Sequence, residues 1–224
     1  MKITKLNLIT NPSLLMAKLK GLHPFYYQSA LLAKKYGGNV KTIIDVGASV
    51  GDYSKACKSV FPKAEIHAFE PNPKALNSLK NKRFLKIYDY ALTNKNGVFS
   101  FNFDEKWDST SSLLDYGKNN RRFGADINKI KVKGKRFDAL NIELKRPCFV
   151  KIEVEGAEQR VLEGFGEKLK NVDVLNVAFE FKDTFVGKTK LSEIALLTEK
   201  AGFKNFIQTY FNEKNGCEFY FFKN

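Results

Sequence analysis

Short β-branched and aromatic runs alternate along this chain with longer stretches whose apolar residues recur at helical spacing. The runs fall at 42–46, 65–69, 84–89, 97–103, 147–154, 173–181, 203–210 and 217–222, and each predicts a strand. Helical patterns over 52–60, 73–81, 156–170 and 189–201 separate several of them. Strands joined through helices imply a parallel sheet wound on both faces, because each crossover helix covers the sheet that it connects. The last two runs, rich in aromatics and joined through Asn212 to Gly216, predict an antiparallel hairpin at the end of that sheet. Ahead of it, Leu14, Leu15, Leu19, Leu22, Leu31 and Leu32 keep helical spacing, broken at Pro12, Gly21 and Pro24 and closed by Gly37 and Gly38. Residues 1–40 therefore read as a short helical lead, a lid or docking arm, and 41–224 as one α/β domain.

Composition narrows this picture. With 224 residues and 43% hydrophobic content the chain can bury a full core. No run approaches the roughly 18 apolar residues of a membrane span, and the N-terminus shows no apolar region ending in a small-residue cleavage site, so a cytoplasmic location is expected. Cys57, Cys148 and Cys217 are odd in number and widely spaced, which predicts reduced thiols in place of a disulfide frame or zinc site. The formal charge of +14 is the largest deviation and raises nucleic acid or an anionic surface as a partner. Its lysines are scattered among asparagines, with only short clusters such as Lys129, Lys131, Lys133, Lys135 and Arg136. Dispersed, solvated charge is the expectation, with nucleic acid the less favoured partner and self-association open.

Candidate chemistry begins at TIIDVGASVG, residues 42–51, where a strand ends in Asp45 and drops into a turn built on Gly47 and Gly51. Glu70 follows nineteen positions after Gly51, at the end of the next run. That is the layout of a nucleoside-cofactor site, in which glycines admit the ligand and a carboxylate takes the ribose hydroxyls. A dinucleotide fingerprint requires glycine where Ser49 and Asp52 stand, so a diphosphate is poorly served. Asp45 and Asp52 add negative charge that suits an ammonium and a sulfonium, which points to S-adenosylmethionine.

Ligands of such sheets bind beyond the carboxyl ends of the strands. Besides Asp45 and Glu70, those ends carry Asp89 and Tyr90, the segment KIEVEGAE from Lys151 to Glu158, and Glu180. On a strand, Lys151, Glu153 and Glu155 project to one side while Ile152 and Val154 face a helix-covered core. Gly156 permits a tight turn, and Glu158 falls in the first turn of the following helix, where its dipole favours a carboxylate.

DVGASVG, then FEPNP from Phe69 to Pro73, ALTNKNG from Ala91 to Gly97, and KIEVEGAEQRVLEG from Lys151 to Gly164 together resemble the FkbM family of S-adenosylmethionine-dependent methyltransferases, over roughly residues 40 to 182. The resemblance implies a Rossmann-like class I methyltransferase fold with a mostly parallel seven-stranded sheet, and O-methylation of a sugar, glycan or other small-molecule hydroxyl. By the same resemblance Asp45, Gly47 and Gly51, with Ser49 in their loop, hold the methionine part, Glu70 the ribose and Asn72 its surroundings. Asp89 is expected near the adenine amino group, with Tyr90 as an alternative that stacks or belongs to the core. Ser111, in the stretch STSSL, and Trp107 are expected in a loop over the active site, and Glu180 beside the acceptor. The chain departs from the family pattern at Ser49, where asparagine is common, and at Glu153, where aspartate is usual.

Methyl transfer to oxygen requires alignment of donor and acceptor and removal of a proton. His67 lies in a strand and His23 in the lead, so the carboxylates are better placed. Glu153, alone or with Glu155 and a divalent metal such as magnesium, would polarise the hydroxyl, with Lys151 orienting it; the spacing leaves the metal undecided. Two rivals compete with this reading. A nucleic-acid methyltransferase would explain the charge, but Cys148 sits at the wrong end of its strand to be a nucleophile. A catalytically silent binding module would keep the fold without needing so complete a set of carboxylates.

Overall fold

The computed structural model describes residues 12–104, 111–117, 127–212 and 216–223. Helices α1 (Pro12–Leu19) and α2 (Pro24–Gly37) precede the sheet. Then follow β1 (Thr42–Val46), α3 (Asp52–Val60), β2 (Glu65–Phe69), α4 (Pro73–Leu79), β3 (Leu85–Tyr88), β4 (Ala91–Leu92), β5 (Gly97–Asp104) and β6 (Ile127–Lys135). The second half is β7 (Cys148–Ile152), α5 (Glu158–Phe165), a 3-10 turn over Gly166–Asn171, β8 (Val174–Glu180), α6 (Leu191–Lys200), β9 (Asn205–Asn212) and β10 (Gly216–Phe222).

Seven strands form one sheet in the order β3-β2-β1-β7-β8-β10-β9, parallel from β3 to β8. β10 runs antiparallel between β8 and β9, so the terminal hairpin joins the sheet through its second strand. β1 and β7 are buried at every position because helices cover both faces, which is why they read as continuous apolar runs. One core lies between the sheet and α5 and α6, with Ile44, Val150, Val161 and Leu175 in it. The other lies under α2 and α3, with Ala30, Ile43, Cys57 and Phe149. The chain order reverses between β1 and β7, and that switch point opens a crevice at their carboxyl ends.

Three differences from the expected elements have physical causes. β7 stops at Ile152 and Glu155 (φ 56) and Gly156 (φ 95) then turn the chain, so the strand alternation expected through Glu155 ends at Ile152. The helix expected over 156–170 begins at Glu158 and gives way at Gly166 (φ 52) to a 3-10 turn. β6 was not expected, since lysine disfavours strands; it forms by pairing along β5 and joins β4 and β5 in a second sheet ordered β4-β6-β5. No helix among the described residues is long and apolar enough to cross a membrane.

Candidate active site

The site is assembled where β1 and β7 end side by side. Their register sets Asp45 directly beside Lys151, both essentially without solvent exposure. The Lys151 ammonium lies 3.2 Å from Asp45 Oδ1 and 3.2 Å from a Glu153 carboxylate oxygen, and it donates to the Gly47 carbonyl at 2.9 Å. Asp45 Oδ2 accepts from Ser54 Oγ at 2.6 Å, while Oδ1 has no hydrogen bond of good geometry despite its charged neighbour. Burial would push the Lys151 ammonium down, and the Asp45 and Glu153 carboxylates overcome that and hold it above its ordinary value. Gly47, at φ 74, brings β1 against β7 so closely that a Cβ there would lie 1.9 Å from the Glu153 carbonyl oxygen. Only glycine fits that crossing.

Past Gly47 the loop turns through Ser49 at φ 46, a left-handed conformation that asparagine adopts more readily, which accounts for the residue usual at this position. The Ser49 amide donates to Glu70 Oε2 and the Asn72 amide to Glu70 Oε1, each at 2.8 Å. Glu70 is buried, and burial raises its acid while those two amides and Lys151 pull it back. A carboxylate oxygen has two lone pairs, so each Glu70 oxygen keeps capacity for one more donor. Asn72 caps α4, its Oδ1 accepting from the Lys74 amide at 3.0 Å, and its Nδ2 donates to Ser111 Oγ at 3.3 Å. Gly51 is the N-cap of α3 at φ 83 and packs on Leu79 outside the cleft lining.

These groups bound a cleft of about 910 Å³, part of it open to solvent. Val46, Ala48, Phe69, Leu92, Phe101 and Leu113 give it apolar walls. Its charged lining is Asp52, Glu70, Glu153 and Glu155 against Lys151, an acidic interior on a chain of charge +14. Glu153 keeps 37% of its side chain exposed, the most accessible carboxylate in contact with Lys151. Burial, then Glu153, Glu180 and Glu158, push the Glu155 acid well above the usual carboxylate range. Among the described residues no three His, Cys, Asp or Glu side chains are grouped to hold a metal ion.

The remaining candidates fall elsewhere. Asp89 is exposed at the end of β3 and outside the cleft lining. Tyr90 is buried edge-on against Phe69, with Lys135 over its ring, so it belongs to the core behind the cleft wall. Glu180 Oε2 is buried without a hydrogen-bond partner and does not line the cleft. Trp107 lies outside the described residues. His67 is tied to Glu65 and Tyr88 at 2.7 and 2.9 Å, away from the cleft. Cys148 starts β7, fully buried, and burial raises its thiol far above the ordinary value, which excludes it as a nucleophile.

Tyr26, Tyr53 and Phe101 line the cleft without having been singled out by the sequence. Tyr53 follows Asp52 into the first turn of α3 and could have been found from that position, whereas Tyr26 arrives from α2 and no local pattern marks it. The two rings pack edge to face at 5.5 Å. The Glu153 charge, then burial, pushes the Tyr26 hydroxyl up to about 12, so it stays protonated. Behind it Tyr53, Ser29, Tyr220 and Glu218 form one buried chain of hydrogen bonds that pins α2 to the sheet.

The profile of the methyltransferase FkbM domain matches residues 45–205. Methyltransferase 1 of Beauveria bassiana is 26% identical over 181 residues, covering 72% of this chain and 71% of the relative. The 2-O-methyltransferase NoeI of Sinorhizobium fredii is 25% identical over 170 residues, covering 68% of each. Among solved structures, a SAM dependent methyltransferase from Aquifex aeolicus superimposes with a TM-score of 0.48 at 12% identity, covering 93% of both chains.

Proposed function

The chain belongs to the FkbM methyltransferase family and is an S-adenosylmethionine-dependent methyltransferase, and from that premise we propose that it methylates a hydroxyl oxygen of a neutral sugar, glycan or other small molecule. The observation that carries this reading is the half-exposed Glu153 carboxylate beside the buried Lys151 ammonium at the mouth of the cleft. The name of the relative NoeI, a 2-O-methyltransferase, supports oxygen as the acceptor atom.

The residues fit the cofactor: Glu70 has spare acceptor capacity for a ribose diol, apolar walls suit a flat base, and Asp52 is an acid for an ammonium group. Bound there, S-adenosylmethionine supplies a methyl group on a positively charged sulfur, open to in-line displacement. Glu70 would hold the ribose, with Ser49 and Asn72 fixing its carboxylate. Asp52 and the Gly47 backbone would hold the methionine end, while Asp45 acts on that end through Lys151 and Gly51 sets the turn. Glu153 would accept the proton of the acceptor hydroxyl as the oxygen becomes nucleophilic. Lys151 keeps that carboxylate in place. Glu155, whose acid is pushed up by burial and then by its acidic neighbours, faces the acceptor, and Ser111 with Tyr26 completes the acceptor side. The acidic lining disfavours acceptors that carry carboxylate or phosphate beside the reacting hydroxyl.

The test is transfer of a labelled methyl group from S-adenosylmethionine to a panel of neutral sugars and phenols, by wild type and by Glu153→Gln. The variant keeps the shape and removes the charge, so turnover is expected to fall by about 10² to 10⁴ with binding of S-adenosylhomocysteine intact. Near-normal turnover contradicts the role given to Glu153.

A further inference from the structure

The lysines at 129, 131, 133 and 135 become one row in the fold, all four exposed on the outer face of β6. Between them Ile130 and Val132 turn inward, opposite Phe101 and Phe99 of β5. Two residues of strand span roughly 7 Å, so the row sets four ammonium groups along about 20 Å. The residues facing them across the ladder are Asn102, Ser100 and Val98, none of them acidic. Lys129 reaches Asp115 at 2.8 Å and Lys135 lies over the Tyr90 ring. Lys131 and Lys133 have no ion pair among the described residues. Like charges at this spacing repel and add nothing to the ladder, so the fold itself gives no reason for the row.

We propose that this outer face docks an acidic polysaccharide, a linear chain whose regularly spaced carboxylate or sulfate groups lie along the lysines. A single line of charge matches a linear polymer and does not match the plane of a bilayer. Single-stranded nucleic acid needs aromatic faces for its bases, and the outward neighbours of the lysines are Val98 and Ser100. Phe101, paired with the inward Ile130 on the opposite face of the same sheet, lines the cleft wall, so a chain held here lies against the back of the catalytic site while its anionic groups stay out of the acidic interior. The docking face is independent of which acceptor the cleft takes.

The test measures binding of a size-defined heparin oligosaccharide to wild type, to the pair Lys131→Glu with Lys133→Glu, and to the control pair Lys34→Glu with Lys35→Glu, two exposed lysines of α2. Both pairs change the total charge equally. The β6 pair is expected to weaken binding at least about tenfold and to flatten its salt dependence, the α2 pair by no more than about threefold. S-adenosylhomocysteine binding unchanged in both shows that the fold and the cleft are intact, and Lys131→Gln with Lys133→Gln repeats the comparison without introducing acids. Equal losses in the two pairs overturn the proposal. So does an oligothymidylate that binds as tightly as heparin and depends on the same lysines, which makes the face a nucleic-acid surface.

Discussion

The cleft and the outer face of β6 each gather four or five charged side chains, and the fold treats the two sets in opposite ways. In the cleft the buried charges are fixed: Asp45 and Glu153 bracket Lys151, and two backbone amides hold Glu70. On β6 the lysines are exposed, three of them without an ion pair among the described residues. Burial explains the contrast, because a charge removed from water must be compensated at once, whereas a solvated one need not be. The charge of +14 is thus a property of the surface and has the opposite sign from the site where the chemistry is proposed.

Removing one charge from each region should separate them most. Lys151→Met leaves Asp45 and the inner side of Glu153 without a counter-charge and is expected to cost about 3 to 5 kcal/mol of stability in urea unfolding. A loss under about 1 kcal/mol would mean that the buried pair is not held as described.

A second effect concerns the acids buried behind the cleft. Burial raises Glu218 to about 7, with the Tyr220 hydroxyl bonded to it, so the folded state holds a proton that the unfolded chain releases near the ordinary value of 4.5. Stability from this group is fully present below about 4.5 and is lost as pH rises through about 7, on the order of 3 kcal/mol. Glu218→Gln keeps the neutral form at every pH and should remove that share of the decline from urea midpoints measured between pH 4.5 and 8. An unchanged pH profile would contradict a raised Glu218. The smallest effect belongs to the surface: Lys131→Gln with Lys133→Gln should shift unfolding by no more than about 0.5 kcal/mol. A larger loss would show that these lysines are part of the fold's support.

The parts of the molecule nearest the switch point are the most legible in the sequence. β1, β2 and α3 lie at 42–46, 65–69 and 52–60, where periodicity puts them, because their residues are buried on a simple repeat and local pattern and tertiary packing agree. Asp45, Gly47, Glu70 and the Lys151 to Glu155 segment come together for the same reason, since they end neighbouring strands. β6 was hidden because every second residue is lysine and its stability comes from β5, distant in sequence. Tyr26 was hidden because only the packing of α2, fixed through Ser29 to Tyr53 and Tyr220, brings it to the cleft. Asp89 follows the pattern of a strand-end carboxylate, yet β3 is the edge of the sheet and its end opens to solvent.

The central claim is that the acidic cleft between β1 and β7 holds S-adenosylmethionine through Glu70, and calorimetry with S-adenosylhomocysteine tests it most directly. The wild type should bind, with NAD much weaker. Glu70→Ala removes a charged acceptor of two hydroxyls and should weaken binding by about 1.5 to 3 kcal/mol, or ten- to a hundredfold, while the β6 lysine variants bind as the wild type does. NAD binding of equal strength, or an unchanged dissociation constant in a folded Glu70→Ala variant, would contradict the account.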